Sequence, residues 1–216
     1  MLRVDGIKVT IKGFIILRGI SLEIPMGGLI ALVGRNGAGK TTTLKSIMGL
    51  IPLLDGAISL DGTDLLQVPG HRRAQLGVGY MPEDRRLIPP LTVEDNIRMP
   101  AWAGGFEKAQ ERLAYIYHKM PEVAALARRR ASTLSGGQQK MVALARALMS
   151  GTKLVLLDEP FEGLSPGMGE RLAGTIQDVQ HDGLSVLIAE SDAKRLSFVE
   201  KVYTIERGEI VRETAS

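Results

Sequence analysis

The sequence contains no cysteine and few histidine or aromatic residues, and the aromatic residues make up only 4% of its 216 positions. The absence of cysteine excludes disulfide bonds and thiolate catalysis. The three histidines, His71, His118 and His181, are scattered and show no metal-ligand spacing. The sequence therefore gives no indication of a disulfide scaffold, a cysteine enzyme or a histidine-based zinc site.

Long apolar runs and a strong charge bias are also missing. No stretch approaches the ~20 apolar residues of a membrane-spanning helix, and the N-terminus lacks the pattern of a secretion signal. Lysine and arginine number 27 against 24 aspartate and glutamate residues, and the densest basic run, at 128–130, is short. This balance does not favour nucleic acid as a partner. We expect an intracellular, soluble chain that reaches a membrane only through another protein.

A glycine-rich segment follows the apolar run at 29–33 and precedes helix-forming spacing at 41–50, which Ile51 and Pro52 end. In a strand–loop–helix context, the backbone N–H groups of such a loop surround phosphate oxygens. Lys40 supplies a charge to the β- and γ-phosphates, and Thr41 offers a hydroxyl to Mg²⁺. We call this segment the P-loop, and it predicts a nucleoside triphosphate site formed by Gly34, Arg35, Asn36, Gly37, Ala38, Gly39, Lys40, Thr41 and Thr42.

Two carboxylates end another apolar run, at 154–157. Asp158 is suited to hold Mg²⁺ directly or through water, and Glu159 to orient and polarise the water that attacks the γ-phosphate. An acidic pair at a strand end is by itself common as a cap or a solvated turn. Its occurrence together with the P-loop favours a catalytic role.

A serine and two glycines stand before a helical stretch at 140–149. Ser135 is suited to cap this helix, and the glycine N–H groups form a second anion-binding surface. Alone, such a turn is more typical of a helix start than of a ligand site. Because one ATP does not need two such surfaces, the economical interpretation is that two chains meet head to tail and share each ATP.

The remaining pattern indicates a layered α/β chain. Two or three short strands are predicted before the P-loop strand, further strands at 57–60, 78–81, 154–157, 185–188 and 202–205, and mostly helix from 91 to 149. Apolar strands alternating with helices are typical of a parallel sheet covered on both faces. We predict a single domain over 1–216, with core and β layer at 1–90 and 150–216 and a helical subdomain at 91–149.

The P-loop, the Leu-Ser-Gly-Gly-Gln segment and the Asp-Glu-Pro strand end, in this order, resemble the ATP-binding subunit of an ABC transporter. The resemblance implies a RecA-like P-loop NTPase core with an N-terminal antiparallel β layer and an inserted α-helical signature subdomain. It implies that two domains sandwich two Mg·ATP, and that residues 163–166 cross the dimer interface. The signature loop, which would contact the opposing ATP, consists of Ser135, Gly136, Gly137 and Gln138.

Three positions depart from the family pattern. Glu83 stands where the family has a glutamine that senses Mg²⁺ and couples to the membrane subunit, and Ser191 stands where a switch histidine contacts the γ-phosphate. Glutamate adds negative charge, whereas serine offers one hydrogen bond and no positive charge. The aromatic residue that stacks on adenine falls near Ile11, so stacking is weak unless Phe14 takes this role.

Residues 82–86 (PEDRR), residues 158–166 (DEPFEGLSP) and the non-histidine switch most resemble an ATPase subunit of branched-chain amino acid importers. This resemblance implies a second ABC ATPase subunit, in a homo- or heterodimer, and membrane permease subunits. It also implies an indirect solute-binding protein, periplasmic or extracellular, and a peripheral position on the cytoplasmic face of the membrane. A heterodimer would tolerate a weak switch position in one subunit, because the other subunit supplies a complete site.

Other interpretations remain open at this point. Urea or another small amide, polar amino acids or a lipid fit the same chemistry, because the ATPase does not touch the solute. A soluble ABC-type ATPase acting as a clamp or regulator on nucleic acid or ribosomes is the main alternative function. A third possibility is that the chain is a nucleotide-binding partner with little hydrolysis of its own. The presence of Glu159 argues against a complete loss of hydrolysis.

Overall fold

A computed structural model of the chain describes residues 1–215; Ser216, the last residue of the predicted core segment, lies outside the described residues. The strands are β1 (Leu2–Ile11), β2 (Phe14–Ile24), β3 (Leu29–Val33), β4 (Asp55–Leu60), β5 (Thr63–Asp64), β6 (Val78–Met81), β7 (Leu154–Asp158), β8 (Ser185–Glu190), β9 (Lys201–Glu206) and β10 (Glu209–Ala215). The helices are α1 (Lys40–Ile47), α2 (Gly70–Arg73), α3 (Val93–Gly104), α4 (Ala109–Lys119), α5 (Pro121–Ala124), α6 (Gly136–Ser150) and α7 (Pro166–His181).

Within residues 1–215 the strands form two sheets. The smaller sheet has the order β2-β1-β4-β5 and is antiparallel, as predicted for an N-terminal β layer. The larger sheet has the order β10-β9-β3-β8-β7-β6, and its neighbours are parallel except for β10, which pairs antiparallel with β9. The fold is therefore the predicted RecA-like α/β architecture.

Apolar side chains fill both faces of the larger sheet because its strands alternate between two hydrophobic clusters. In β3, Leu29 and Ala31 belong to one cluster, together with α3, α4, α6 and α7. Ile30 and Leu32 belong to the other, together with α1 and the smaller sheet. The sheet thus lies between a helical layer and a layer formed by α1 and the β sheet.

Several element boundaries differ from the prediction. Helix α1 was expected to continue to residue 50, but it ends at Ile47, because Gly49 has a left-handed backbone with φ +68°. The helix expected at 140–149 begins four residues earlier, since the signature glycines lie in its first turn. Strands β5 and β10 were not predicted, because both are exposed edge strands with little apolar patterning.

Helices α3 to α6 lie between β6 and β7 in the chain. Helix α3 begins with a reciprocal capping box between Thr92 and Asp95, and α5 begins with Pro121. Helix α6 packs against both α3 and strand β6, so one continuous core joins these helices to the sheet. None of the helices within residues 1–215 is both long and apolar enough to cross a membrane.

Candidate nucleotide-binding and catalytic site

The site residues predicted from the sequence follow the carboxyl ends of neighbouring parallel strands. The P-loop follows β3, Glu83 follows β6, and Ser191 follows β8, while Asp158 ends β7. Register pairs Asp158 with Ala189, one residue before the end of β8, and Val33 with Glu190. Because the carboxyl ends of parallel strands share one sheet edge, these groups meet there.

The P-loop connects β3 to α1 in a conformation that requires glycine at two positions. Gly39 has φ +117°, which favours glycine, and it directly precedes the first residue of α1. At Gly34, an added Cβ would lie 2.3 Å from the carbonyl oxygen of Ile205, too close for any side chain. Lys40 Nζ donates to the carbonyl oxygen of Gly34 at 2.7 Å, so the lysine folds back over the loop.

Lys40 also forms a buried ion pair with Glu159. The Nζ atom lies 2.9 Å from Oε1, and the two side chains are 5% and 8% exposed. Burial favours the neutral form of Glu159, but a hydrogen bond with Glu190 and the contact with Lys40 outweigh this effect and lower its pKa. Glu159 is therefore ionised in this environment.

The backbone around Glu159 is held in an unusual conformation. Its φ of +48° lies in the left-handed region, which is uncommon for a residue other than glycine. The N–H of Glu159 donates to the carbonyl oxygen of Ala189 at 2.9 Å, and Lys140 Nζ donates to the Glu159 carbonyl oxygen at 2.6 Å. On the side chain, Oε2 accepts 3.2 Å hydrogen bonds from both the N–H and the hydroxyl of Ser191.

Asp158 is fully buried beside the P-loop. Thr41 Oγ1 donates to one carboxylate oxygen at 3.0 Å, and the Tyr80 hydroxyl donates to the other at 3.1 Å. Burial raises the pKa of Asp158, although both hydrogen bonds act against this shift. A Thr hydroxyl next to one carboxylate supplies the oxygen ligands that Mg²⁺ takes together with water and phosphates. The residues present therefore fit this ion.

A cavity of about 480 Å³ opens above the P-loop. Its lining brings together Lys40, Glu83, Glu159 and Ser191, all predicted from the sequence. Its lining residues are Ile11, Ile16, Asn36, Gly37, Gly39, Lys40, Thr41, Thr42, Glu83, Glu159, Glu162 and Ser191. We call this the nucleotide cavity.

The position predicted to stack on adenine is aliphatic. Ile11 and Ile16, from strands β1 and β2, contribute apolar surface to the nucleotide cavity. Phe14 lies opposite Ile11 at the turn between these strands, does not line the cavity and is 73% exposed. In this state of the chain, aliphatic rather than aromatic contacts face the cavity.

The signature loop is separate from the nucleotide cavity of its own chain. Ser135 caps α6 as predicted: its hydroxyl accepts from the N–H of Gln138 at 3.3 Å, and the Gln138 side chain accepts from the N–H of Ser135 at 3.0 Å. Ser135 and Gly136 are exposed, and none of the residues 135–138 lines the nucleotide cavity. Gly163 and Ser165, in the segment predicted to cross a dimer interface, are also exposed.

Sequence reasoning missed three residues that contact the predicted ones. Tyr80 binds Asp158, Lys140 binds the Glu159 backbone, and the buried Glu190 lies beside Glu159. A charged residue directly after the apolar run of β8 was a signal for Glu190. Lys140, inside a helix, gave no comparable signal, since its partner lies on another element.

The fold and the site define a P-loop ATPase. A family model described as ABC transporter matches residues 17–162. The chain therefore belongs to the ABC transporter family of ATP-binding proteins; it binds adenine nucleotides and hydrolyses ATP.

Relatives cover almost the whole chain. The probable branched-chain amino acid transport ATP-binding protein LivF of Archaeoglobus fulgidus is 34% identical over 97% of this chain and 90% of its own length. The high-affinity branched-chain amino acid transport ATP-binding protein BraG of Pseudomonas aeruginosa is 34% identical over 90% of this chain and 84% of its own. The lipopolysaccharide export system ATP-binding protein LptB of Escherichia coli is 32% identical over 93% and 84%.

Solved structures share the fold over the full length of this chain. An ATP-binding cassette of an ABC transporter in its ADP conformation superposes with a TM-score of 0.87 at 25% identity, covering 100% of this chain and 91% of its own. A bacterial ABC transporter cassette solved as a dimer gives a TM-score of 0.88 at 25% identity, covering 100% and 98%. Both are ATP-binding cassettes, like the chain described here.

Proposed function

We propose that this chain is the ATP-hydrolysing subunit of an importer for branched-chain amino acids or related small solutes. The observation that carries the proposal is the 34% identity to two branched-chain amino acid transport ATP-binding proteins, over 97% and 90% of the chain. The PEDRR segment after β6 supports it, because this segment carried the resemblance to those importers.

In this proposal each residue of the site has a part in ATP hydrolysis. The P-loop N–H groups and Lys40 would hold the phosphates, and Thr41 and Asp158 would hold Mg²⁺, whose charge would stabilise the negative charge of the phosphates. Glu159 accepts a proton from the attacking water, for which its ionised state is required. Lys40 moves from Glu159 to the phosphates, which frees this carboxylate for the water.

Glu83 and Ser191 have different proposed roles. Glu83 lines both the nucleotide cavity and a second cavity with Thr41 and Asp158, a position from which its carboxylate reaches the shell of water around Mg²⁺. Ser191 donates to Glu159 and so orients the base, instead of supplying the positive charge of a histidine. The proposed role of Ser191 is thus positional.

The exposed signature loop acts on ATP bound by a second subunit. Ser135, Gly136, Gly137 and Gln138 present N–H groups at the positive end of α6, and they approach the γ-phosphate held by the partner's P-loop. We include the helical segment 91–149 in this proposal as the subdomain that carries the signature loop. The partner is a second ABC ATPase subunit, identical or different.

The subunit is peripheral, on the cytoplasmic face of the membrane. It binds membrane permease subunits and receives a signal from a periplasmic or extracellular solute-binding protein only indirectly. Closure of the ATPase dimer around ATP drives the permease, while nucleic acid has no part in this function.

Reconstitution tests this proposal. The chain is purified with the hydrophobic subunits that accompany it in membranes and placed in liposomes, and ATP hydrolysis and uptake of labelled leucine are measured beside the Glu159→Gln variant. We expect hydrolysis and uptake that both require Glu159 and increase with the solute-binding protein and leucine.

A second candidate is lipid export, favoured by the 32% identity to LptB. ATP hydrolysis that is stimulated by lipopolysaccharide and not by leucine would favour lipid export over the importer. Co-purification with RNA instead of membrane proteins would contradict both.

A further inference from the structure

A second carboxyl group is buried beside Glu159. Glu190 is the last residue of β8, is 3% exposed and does not line the nucleotide cavity. Its Oε1 accepts a hydrogen bond of 2.8 Å from the N–H of Phe161, and its side chain shares a hydrogen bond with that of Glu159. Glu190 therefore bridges the side chain of Glu159 and the backbone two residues further along.

A hydrogen bond between two carboxyl groups requires a proton on one of them. Glu159 is the ionised partner, because it faces Lys40 Nζ and accepts two hydrogen bonds from Ser191. Glu190 is the neutral partner: burial, followed by the hydrogen bond with Glu159, raises its pKa to about 8. The neutral carboxyl donates to Glu159 while its carbonyl oxygen accepts from Phe161.

The charged groups around Glu190 come from several elements. Lys140 on α6 is 2% exposed, and burial lowers its pKa against the attraction of Glu162. Glu159, which directly follows β7, faces Glu190, and Arg195 donates to the carbonyl oxygen of Phe161 at 2.6 Å. Of these groups, Glu190 is the one that joins the Glu159 side chain to the Phe161 N–H.

We propose that Glu190 is a positioning residue that holds the carboxylate of Glu159 towards the attacking water. The inference rests on the proposed role of Glu159 as the base. Once Lys40 turns to the phosphates, Glu159 loses its ion pair and keeps the hydrogen bonds from Glu190 and Ser191. Glu190 itself does not line the nucleotide cavity, so its proposed action passes through Glu159.

Three variants at this position test the proposal. Glu190→Gln keeps a donor for Glu159 and an acceptor for Phe161, and we expect kcat within about threefold of the parent. Glu190→Asp keeps the carboxyl group but is one methylene too short to bridge both partners, and Glu190→Ala removes the bridge. For these two we expect kcat to fall about 10- to 100-fold, as for a misplaced catalytic group, while the Kd for ATP changes less than about twofold.

The assay uses the full chain in the ATPase complex that gives turnover, with Glu111→Gln as a surface control. If Glu190→Ala does not fold, the Asp and Gln variants decide. Unchanged kcat in the Asp variant would overturn the proposal. The proposal would also be overturned if the Gln variant lost as much kcat as the Asp variant while binding ATP normally. Glu190 would then need to accept a proton itself.

A measurement without turnover gives an independent check. Infrared spectroscopy of the nucleotide-free chain is expected to show a neutral-carboxyl C=O band that is lost in Glu190→Gln; a band unaffected by this variant would contradict the proposal. Failure of the proposed function is distinguishable, because it appears as parent-rate hydrolysis by Glu159→Gln, whatever the Glu190 variants do.

Discussion

Lys40 Nζ lies 2.9 Å from Glu159 Oε1, and both side chains are buried. The two residues have separate proposed tasks, one at the phosphates and the other at the attacking water. In the structure they neutralise each other, which avoids the cost of an unpaired buried charge. Binding of nucleotide phosphates by Lys40 would therefore require this ion pair to open.

Removing the lysine tests both halves of this relationship. In Lys40→Ala we expect ATP affinity to fall at least about tenfold, because the P-loop loses its charge for the phosphates. Glu159 is left without its cation, so the free energy of unfolding of the nucleotide-free chain should fall by as much as about 3 kcal/mol. Isothermal titration calorimetry and denaturant unfolding measure the two effects.

Lys8→Ala is the matched control. Lys8 and Asp55 also lie 2.9 Å apart, but their side chains are 47% and 63% exposed. Loss of this pair should leave ATP affinity unchanged and lower the free energy of unfolding far less than loss of Lys40, because solvent screens an exposed ion pair. Equal ATP affinity in Lys40→Ala and Lys8→Ala would refute the assignment of Lys40.

Replacing the base separates binding from hydrolysis. In Glu159→Gln we expect turnover to fall by at least about 100-fold, because a neutral amide does not accept the proton from water. ATP affinity should be maintained or increased, since Lys40 no longer has to leave an ionised partner. Single-turnover hydrolysis and the ATP-dependent dimer fraction in size-exclusion chromatography measure these outcomes.

The exposed Glu209→Gln serves as the control for this substitution and should behave as the parent chain. The parent rate is also measured across a concentration series. A rate that rises faster than linearly with the chain and disappears in Glu159→Gln indicates sites completed by self-association. Hydrolysis by Glu159→Gln at the parent rate would show that another group is the base.

Much of the site could be predicted because its residues stand at strand ends. The apolar runs before Gly34 and Asp158 identified two strands, and a parallel sheet brings such ends to one edge. Contacts between side chains of distant elements could not be predicted in this way. Lys140 meets the carbonyl oxygen of Glu159 only because α6 packs beneath that turn, and helical periodicity does not specify such a contact.

Edge strands and helix ends illustrate a second limit of prediction from the sequence. Strand β10 pairs with β9 through the backbone, and its mostly exposed residues lack the apolar pattern from which the other strands were predicted. Helix α1 ends where Gly49 adopts a left-handed backbone, whereas the sequence predicted that the helix would end at Pro52. Backbone hydrogen bonding decided both features, and it leaves little trace in side-chain hydrophobicity.

The neutral state of Glu190 predicts a pH dependence of stability. Its pKa is raised from 4.5 to about 8 in the folded chain, so the folded state binds a proton that the unfolded state has released between these values. This contribution to the free energy of unfolding is complete below about pH 4.5 and is lost as the pH rises through about 8. The lowered pKa of Glu159 acts in the opposite direction, since its contribution is lost on acidification.

Comparison with Glu190→Gln isolates the Glu190 contribution, because glutamine has no proton to lose. Between pH 5 and 8 the parent should lose stability relative to this variant, by on the order of 1–4 kcal/mol. Denaturant unfolding of both chains at several pH values measures the difference. Parallel pH curves for the two chains would contradict a neutral Glu190.

Two helix caps of the same design allow the structural and catalytic roles of Ser135 to be separated. Thr92 and Ser135 each form a reciprocal capping box, at the starts of α3 and α6. Substitution of either by alanine should lower the free energy of unfolding by about 1 kcal/mol. Only Ser135→Ala should also reduce ATP hydrolysis, by at least about tenfold, because a hydrogen bond to a charged γ-phosphate is lost.

Mixing two impaired chains tests whether each ATP site is shared between subunits. In a head-to-tail dimer of Lys40→Ala with Ser135→Ala, one site combines both substitutions, whereas the other joins an intact P-loop to an intact signature loop. Where the parent rate rises faster than linearly with concentration, the mixture should therefore recover a substantial fraction of the parent ATPase rate that neither variant has alone. If the signature loop acted on its own chain's ATP, mixing would restore nothing, because every site would keep one defect.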